Sequence, residues 1–95
     1  MFVTLLRFSD NKAKAGEFME GHKEWIRRGF EDGVFLMSGS LHSNSGGGIL
    51  AHNTSLSELQ ARLNEDPFIV ENVVRAEILE ITPSRAAAPL QFLLP

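Results

Sequence analysis

The sequence predicts an α+β fold in which two helices cover one face of a four-stranded antiparallel sheet. Three observations carry this prediction. The spacing of apolar residues alternates between strand-like and helical, in the order β-α-β-β-α-β. That order is the ferredoxin-like split arrangement, which gives a small chain a complete helix-on-sheet core. The strand segments are apolar on both parities, which is more than one helical layer can hide. Ninety-five residues allow one domain and rule out two ordinary ones. With 43% hydrophobic and 22% charged residues, the chain is globular rather than disordered.

Each element follows from its local pattern. Phe2 to Phe8 is β-branched, aromatic and leucine-rich, and reads as the first strand. Ser9-Asp10-Asn11 then supply a turn and a helix cap. From Lys12 to about Glu31 the period becomes helical, at about 100° per residue. Ala15, Phe18, Met19, His22, Trp25, Ile26 and Gly29 make one stripe, with charged residues on the far side. There Glu24 and Arg28 stand four residues apart, a spacing expected to pair. Asp32-Gly33 ends the helix. Val34 to Leu41 is the second strand, with a bulge or close approach expected at Met37-Ser38-Gly39. Ser43 to Gly48 reads as a loop and Ile49 to His52 as the third strand. Ser55 and Glu58 fit a capping box before a short helix lined by Leu56, Leu59 and Leu63. Asp66-Pro67 stops that helix. Val73 to Ile81 is the last strand. Residues 1–85 make the single domain and 86–95 a C-terminal tail. The second sheet face is expected to meet the same face of another subunit, giving a homodimer. The competing expectation is that the tail folds across it.

Composition narrows the chemistry. The chain has no Cys, which excludes disulfides, zinc–thiolate sites and thiol nucleophiles. A net charge of −3 with no basic patch argues against nucleic acid as a partner. Met1 to Arg7 lacks the basic start and apolar run of a signal peptide. No stretch approaches the roughly 18 apolar residues of a membrane span, so no membrane partner is expected, and cytoplasmic residence is the default. Gly46-Gly47-Gly48 lacks the Lys-Ser/Thr and following helix of a phosphate-binding loop. His42 and His52 flank the loop without clustered carboxylates, so neither metal nor cofactor is expected.

Two residues stand out as carriers of chemistry. His22 lies in the middle of an apolar stripe and points toward the sheet, where both ring nitrogens need partners. Imidazole is the side chain that exchanges protons near neutrality. A core histidine bonded to a backbone carbonyl is the plainer reading. Asp66 precedes Pro67, so its carboxylate suits the cap of a short turn. Alternatively it faces His22 across the two helices and fixes the ring's tautomer, as a carboxylate does in a catalytic dyad. Trp25 reads as core, or as an aromatic beside a ligand. Arg7 and Arg75 interrupt apolar strands. Either neutralises an acidic substrate at the dimer seam or pairs with Glu77 or Glu80. Ser38 lacks the surroundings of a nucleophile and stands as a candidate substrate contact.

Taken together, Ala15-Gly16-Glu17-Phe18 through His22, Asp32 to Gly39, Gly47 to Ala51 and Asp66-Pro67-Phe68 resemble the YCII-related (YciI-like) family. The resemblance runs from the first strand through Arg85. It implies a dimeric α+β barrel, a homodimer, and an active site at His22 and Asp66. It also implies a lyase-like reaction on a small phenolic molecule, since one member is a dehydrochlorinase of a chlorinated hydroxyhydroquinone. The expected function is therefore cofactor-free proton transfer by a His–Asp pair. The alternatives are a non-catalytic small-molecule-binding or assembly module, and a cofactor-free monooxygenase-like enzyme.

Overall fold

A computed structural model describes all 95 residues. The strands are β1 (Phe2–Phe8), β2 (Phe35–Ser40), β3 (Gly46–Ala51) and β4 (Val74–Glu80). The helices are α1 (Ala15–Glu31), α2 (Leu56–Leu63) and the single turn α3 (Pro67–Val70). The sheet order is β2-β3-β1-β4, and every neighbouring pair is antiparallel. This is the ferredoxin-like βαββαβ arrangement, with the helices on one face. Strand alternation explains the layering. Phe2, Thr4 and Leu6 of β1 are buried, as are Ile49 and Ala51 of β3 and Val74 of β4. Trp25 of α1, Leu59 and Leu63 of α2 and Phe68 of α3 complete the core with them. No helix is long and apolar enough to cross a membrane.

Four local expectations are corrected. Ser9-Asp10-Asn11 does not cap α1, which follows a 3-10 turn at Lys12–Lys14 and has no side-chain cap. Asn11 instead ties down the segment that leads into β4, its Nδ2 donating to the Glu71 carbonyl (2.8 Å). Glu24 pairs with Arg27 (2.6 Å) rather than with Arg28, and Arg27 also reaches Glu31. The guanidinium holds the Glu24 carboxyl below its ordinary range. These groups are exposed, so the pairs add little to stability. Gly46 to Gly48 belong to β3 rather than to a loop, because strand pairing uses backbone groups and needs no side chain. Gly46, Gly47 and Gly48 stand opposite Arg7, Leu6 and Leu5 of β1. Gly46 has φ +135°, and a Cβ there would lie 1.8 Å from the Leu6 carbonyl oxygen, so only glycine fits.

The bulge in β2 falls earlier than expected, where the register shifts between Phe35 and Met37. One extra residue exchanges the faces that follow it. Phe35 points to the helices and Met37 pairs with Leu50 on the open side. Ser38 and Ser40 then return to the helix side, opposite Ile49 and Gly47. The capping box of α2 forms as the sequence predicts. Glu58 N–H donates to Ser55 Oγ (3.1 Å), and Ser55 N–H donates to Glu58 Oε1 (2.9 Å). That backbone bond holds the Glu58 carboxyl below its ordinary range.

The other sheet face is open, apolar at the end that carries Met37, Leu50, Val3 and Leu79 and charged toward Glu77, Arg7 and Arg75. Met37, Leu79 and Ile81 are 52%, 46% and 45% exposed. The tail makes a 3-10 segment at Ala88–Leu93, and its Phe92 ring meets His52 at 5.6 Å. It leaves those three side chains uncovered.

Gly29 sets how closely α1 lies on the sheet. A Cβ there would come within 2.1 Å of the Phe35 ring. Gly29→Ala is therefore expected to destabilise the fold by about 1–3 kcal/mol through overpacking, despite alanine's better helix propensity. For a domain of this size that is a drop of roughly 4–8 °C in Tm per kcal/mol, measurable by thermal unfolding.

Candidate active site

The site begins where α1 crosses α3. Gly21 of α1 faces Pro67, and a Cβ on it would sit 2.9 Å from the Pro67 Cγ. With hydrogen there instead, the two backbones close up, and the residues beside this contact meet. His22 Nδ1 donates to Asp66 Oδ1 at 2.9 Å. A carboxylate only accepts, so the proton is on Nδ1 and the tautomer is set. Asp66 Oδ1 also accepts from Phe68 N–H (3.0 Å), capping α3 as a residue before an N-terminal proline does. Asp66 therefore fills both roles the sequence leaves open: it caps the turn and it holds the imidazole. It is 0% exposed, and its Oδ2 is buried with no partner.

The His22 ring packs beside two aromatic rings. Phe68 stacks on it with centroids 3.9 Å apart and planes 4° from parallel. Trp25 lies at 5.9 Å and 23°. The His22 side chain is 12% exposed. With Nδ1 on Asp66, Nε2 is the ring nitrogen left for anything else, and it bonds to no protein group.

The imidazole lines a cavity of about 370 Å³ between α1 and the sheet. That volume lies at the small end of ligand sites. The cavity exists because the helix-facing positions at this end of β2 and β3 are Ser38, Ser40 and Gly47. At the other end of the same strands the corresponding positions are Phe35 and Ala51, and the space is filled. Leu6, Phe8, Ile26 and Val74 supply apolar walls, and Phe68 closes it beside His22.

The other sequence candidates divide. Ser38 lines the cavity, on its sheet side. Trp25 does not. It is 1% exposed, and its indole N–H donates to the Arg62 carbonyl (2.8 Å), so it backs the histidine from the core instead of meeting a ligand. Arg7 and Arg75 are also outside the cavity. They stand directly opposite each other on β1 and β4, on strand positions facing the open side, so the sheet separates them from His22. Arg7 approaches Glu77 at 3.6 Å. Four residues escape the sequence reading: Gly21, Lys23, Ser40 and Phe68. A signal exists for one. A glycine inside a helix costs about 1 kcal/mol relative to alanine, so Gly21 asks for a packing reason. Lys23 falls on the charged arc of the wheel, and nothing in the pattern shows that it borders the cavity.

No family model matches this chain, and no curated protein does. Among solved structures it is similar to the 5-chloro-2-hydroxyhydroquinone dehydrochlorinase TftG from Burkholderia phenoliruptrix AC1100, in complex with 2,5-dihydroxybenzoquinone. The two share 11% sequence identity at a TM-score of 0.69, over 86% of this chain and 94% of that one. At that identity the likeness is one of fold alone.

Proposed function

We propose that this chain is a cofactor-independent acid/base catalyst that moves a proton on a small, single-ring molecule, in the manner of the YCII-related proteins it resembles. One observation carries the reading: a buried carboxylate orients an imidazole that lines a mainly apolar cavity and whose Nε2 has no protein partner. A merely structural histidine has both nitrogens satisfied within the fold. In an elimination, Nε2 takes the substrate proton. The electron pair left behind forms the new π bond, and the leaving group departs with its own bonding pair. Asp66 stabilises the imidazolium that results. The solved relative is named for the loss of HCl from a chlorinated hydroxyhydroquinone, which is a reaction of this class. Residues 1–85 carry the site, and the tail lies outside it.

The same reading includes a homodimer formed through the open sheet faces. Apolar area of the kind presented by Met37, Leu79 and Ile81 is stabilising when buried, at about 25 cal/mol per Å². Sedimentation at micromolar concentration is expected to give twice the 10.5 kDa chain mass. A species of single mass would remove the dimer from the proposal.

The dyad is tested with 2,5-dihydroxybenzoquinone as probe. Adding it is expected to move the His22 ring resonances in NMR, and Asp66→Asn is expected to lower turnover of 5-chloro-2-hydroxyhydroquinone about 10⁴-fold, the scale seen when a dyad's orienting carboxylate is neutralised. Asparagine keeps an oxygen for the Phe68 N–H, so the fold survives. Full turnover by Asp66→Asn, or a histidine indifferent to the probe, would return His22 to a structural role.

Gly21→Ala tests the geometry separately. The added methyl presses on Pro67 and parts α1 from α3. The hydrogen-bonded Nδ1 proton of His22 is expected to move upfield, and kcat to fall about 10- to 100-fold, the cost of a misplacement approaching 1 Å. An unchanged proton resonance would show that the contact does not position the pair.

A further inference from the structure

We propose that the His22 cavity selects molecules that are negatively charged, and that Lys23 is the residue that pairs with that charge. The inference rests on the reading that this cavity is the substrate site, and it names the class of molecule the site takes.

The electrostatics of the lining carry it. The chain has twelve acidic residues against nine basic ones. Yet among the residues lining the cavity there is no Asp or Glu, and there is one lysine, Lys23. The carboxylate bonded to the imidazole, Asp66, lies on its Nδ1 side and is not part of the lining. Lys23 is also free to act. Of the carboxylates on helix α1, Arg27 takes Glu24 and Glu31, Glu17 and Glu20 enter no ion pair, and Lys23 takes part in none of the chain's ion pairs. A second ammonium, Lys12, rests 4.8 Å from the centroid of the Phe8 ring, which is itself a wall of the cavity. It too is in no ion pair, and it adds to the positive potential on this side.

Lys23 follows His22 directly on α1, so the charge it binds is held beside the ring that exchanges the proton. An ammonium at the border of an apolar cavity interacts with an anion more strongly than one in open water. The walls suit the rest of the ligand. Leu6, Phe8, Ile49 and Val74 offer apolar contact to a ring, while Ser38, Ser40 and Asn44 give polar contacts on the sheet and loop side. The same ammonium offsets negative charge that builds on a substrate oxygen as the proton leaves. The substrate class is therefore a small ring bearing a carboxylate, phenolate or comparable acidic group, rather than a neutral ring of the same size.

Two probes of nearly the same shape separate charge from fit: benzoate, an anion, and benzamide, which is neutral. Each is titrated into the full chain while the His22 ring resonances are followed. Benzoate is expected to bind at least tenfold more tightly than benzamide. Lys23→Gln is expected to reduce that preference to twofold or less, and Lys23→Arg to retain most of it. Raising the salt concentration is expected to weaken benzoate and leave benzamide unchanged. Equal binding of the two probes to the native chain overturns the proposal, as does an undiminished preference in Lys23→Gln. Either result leaves the dyad reading intact if 2,5-dihydroxybenzoquinone still moves the His22 resonances. A ring that responds to none of the three probes overturns both readings.

Discussion

The approach of α1 to its neighbours is the constraint on which this molecule depends. Gly29 allows the helix to rest on the Phe35 ring, and Gly21, two turns earlier, allows it to rest on Pro67. Each glycine costs helix stability, about 1 kcal/mol relative to alanine. Each is matched by a contact that no larger residue permits. With both contacts made, helix position and rotation are set, and the stripe from Ala15 to Gly29 can face only the sheet and α3. The place of His22 is a consequence of that packing rather than of its own interactions.

The second consequence concerns Asp66. A carboxylate with no exposed surface is costly to desolvate unless it is paired and hydrogen-bonded. Here one oxygen takes two donors, from His22 and from the Phe68 backbone, while the other takes none. The bond to His22 therefore serves both partners: it offsets the burial of the carboxylate and fixes the tautomer of the ring. Deleting one partner outright leaves an uncompensated buried charge, which typically destabilises by about 3–5 kcal/mol. That is why neutral, shape-preserving changes at Asp66 report on chemistry more cleanly than truncation of His22.

The cavity arises from a balance along two strands. Bulky residues fill the helix side of β2 and β3 at one end, and Ser38, Ser40 and Gly47 leave it empty at the other. The bulge between Phe35 and Met37 decides this. Without it, alternation from Phe35 would turn Met37 inward and the serines outward. A single inserted residue thus opens a cavity at the end of the core, with serines on its sheet side, and moves a methionine to the open sheet face.

Much of this was legible in the chain. The element order, the capping box at Ser55 and Glu58, and the inward aim of His22 follow from short-range periodicity and cap chemistry, which depend on residues only a few positions apart. Other features depend on what lies across the fold. Gly46 to Gly48 look like a loop because pairing on both sides by β1 and β2 leaves no mark on a glycine's own sequence. Trp25 could be read as a ligand contact until packing buried it, and Arg7 and Arg75 until strand parity put them across the sheet. By itself the sequence determined the fold class and singled out an imidazole and a carboxylate. That these two, 44 positions apart, stand 2.9 Å from each other was decided by the tertiary structure alone, because it needs the close crossing of α1 and α3 that Gly21 permits.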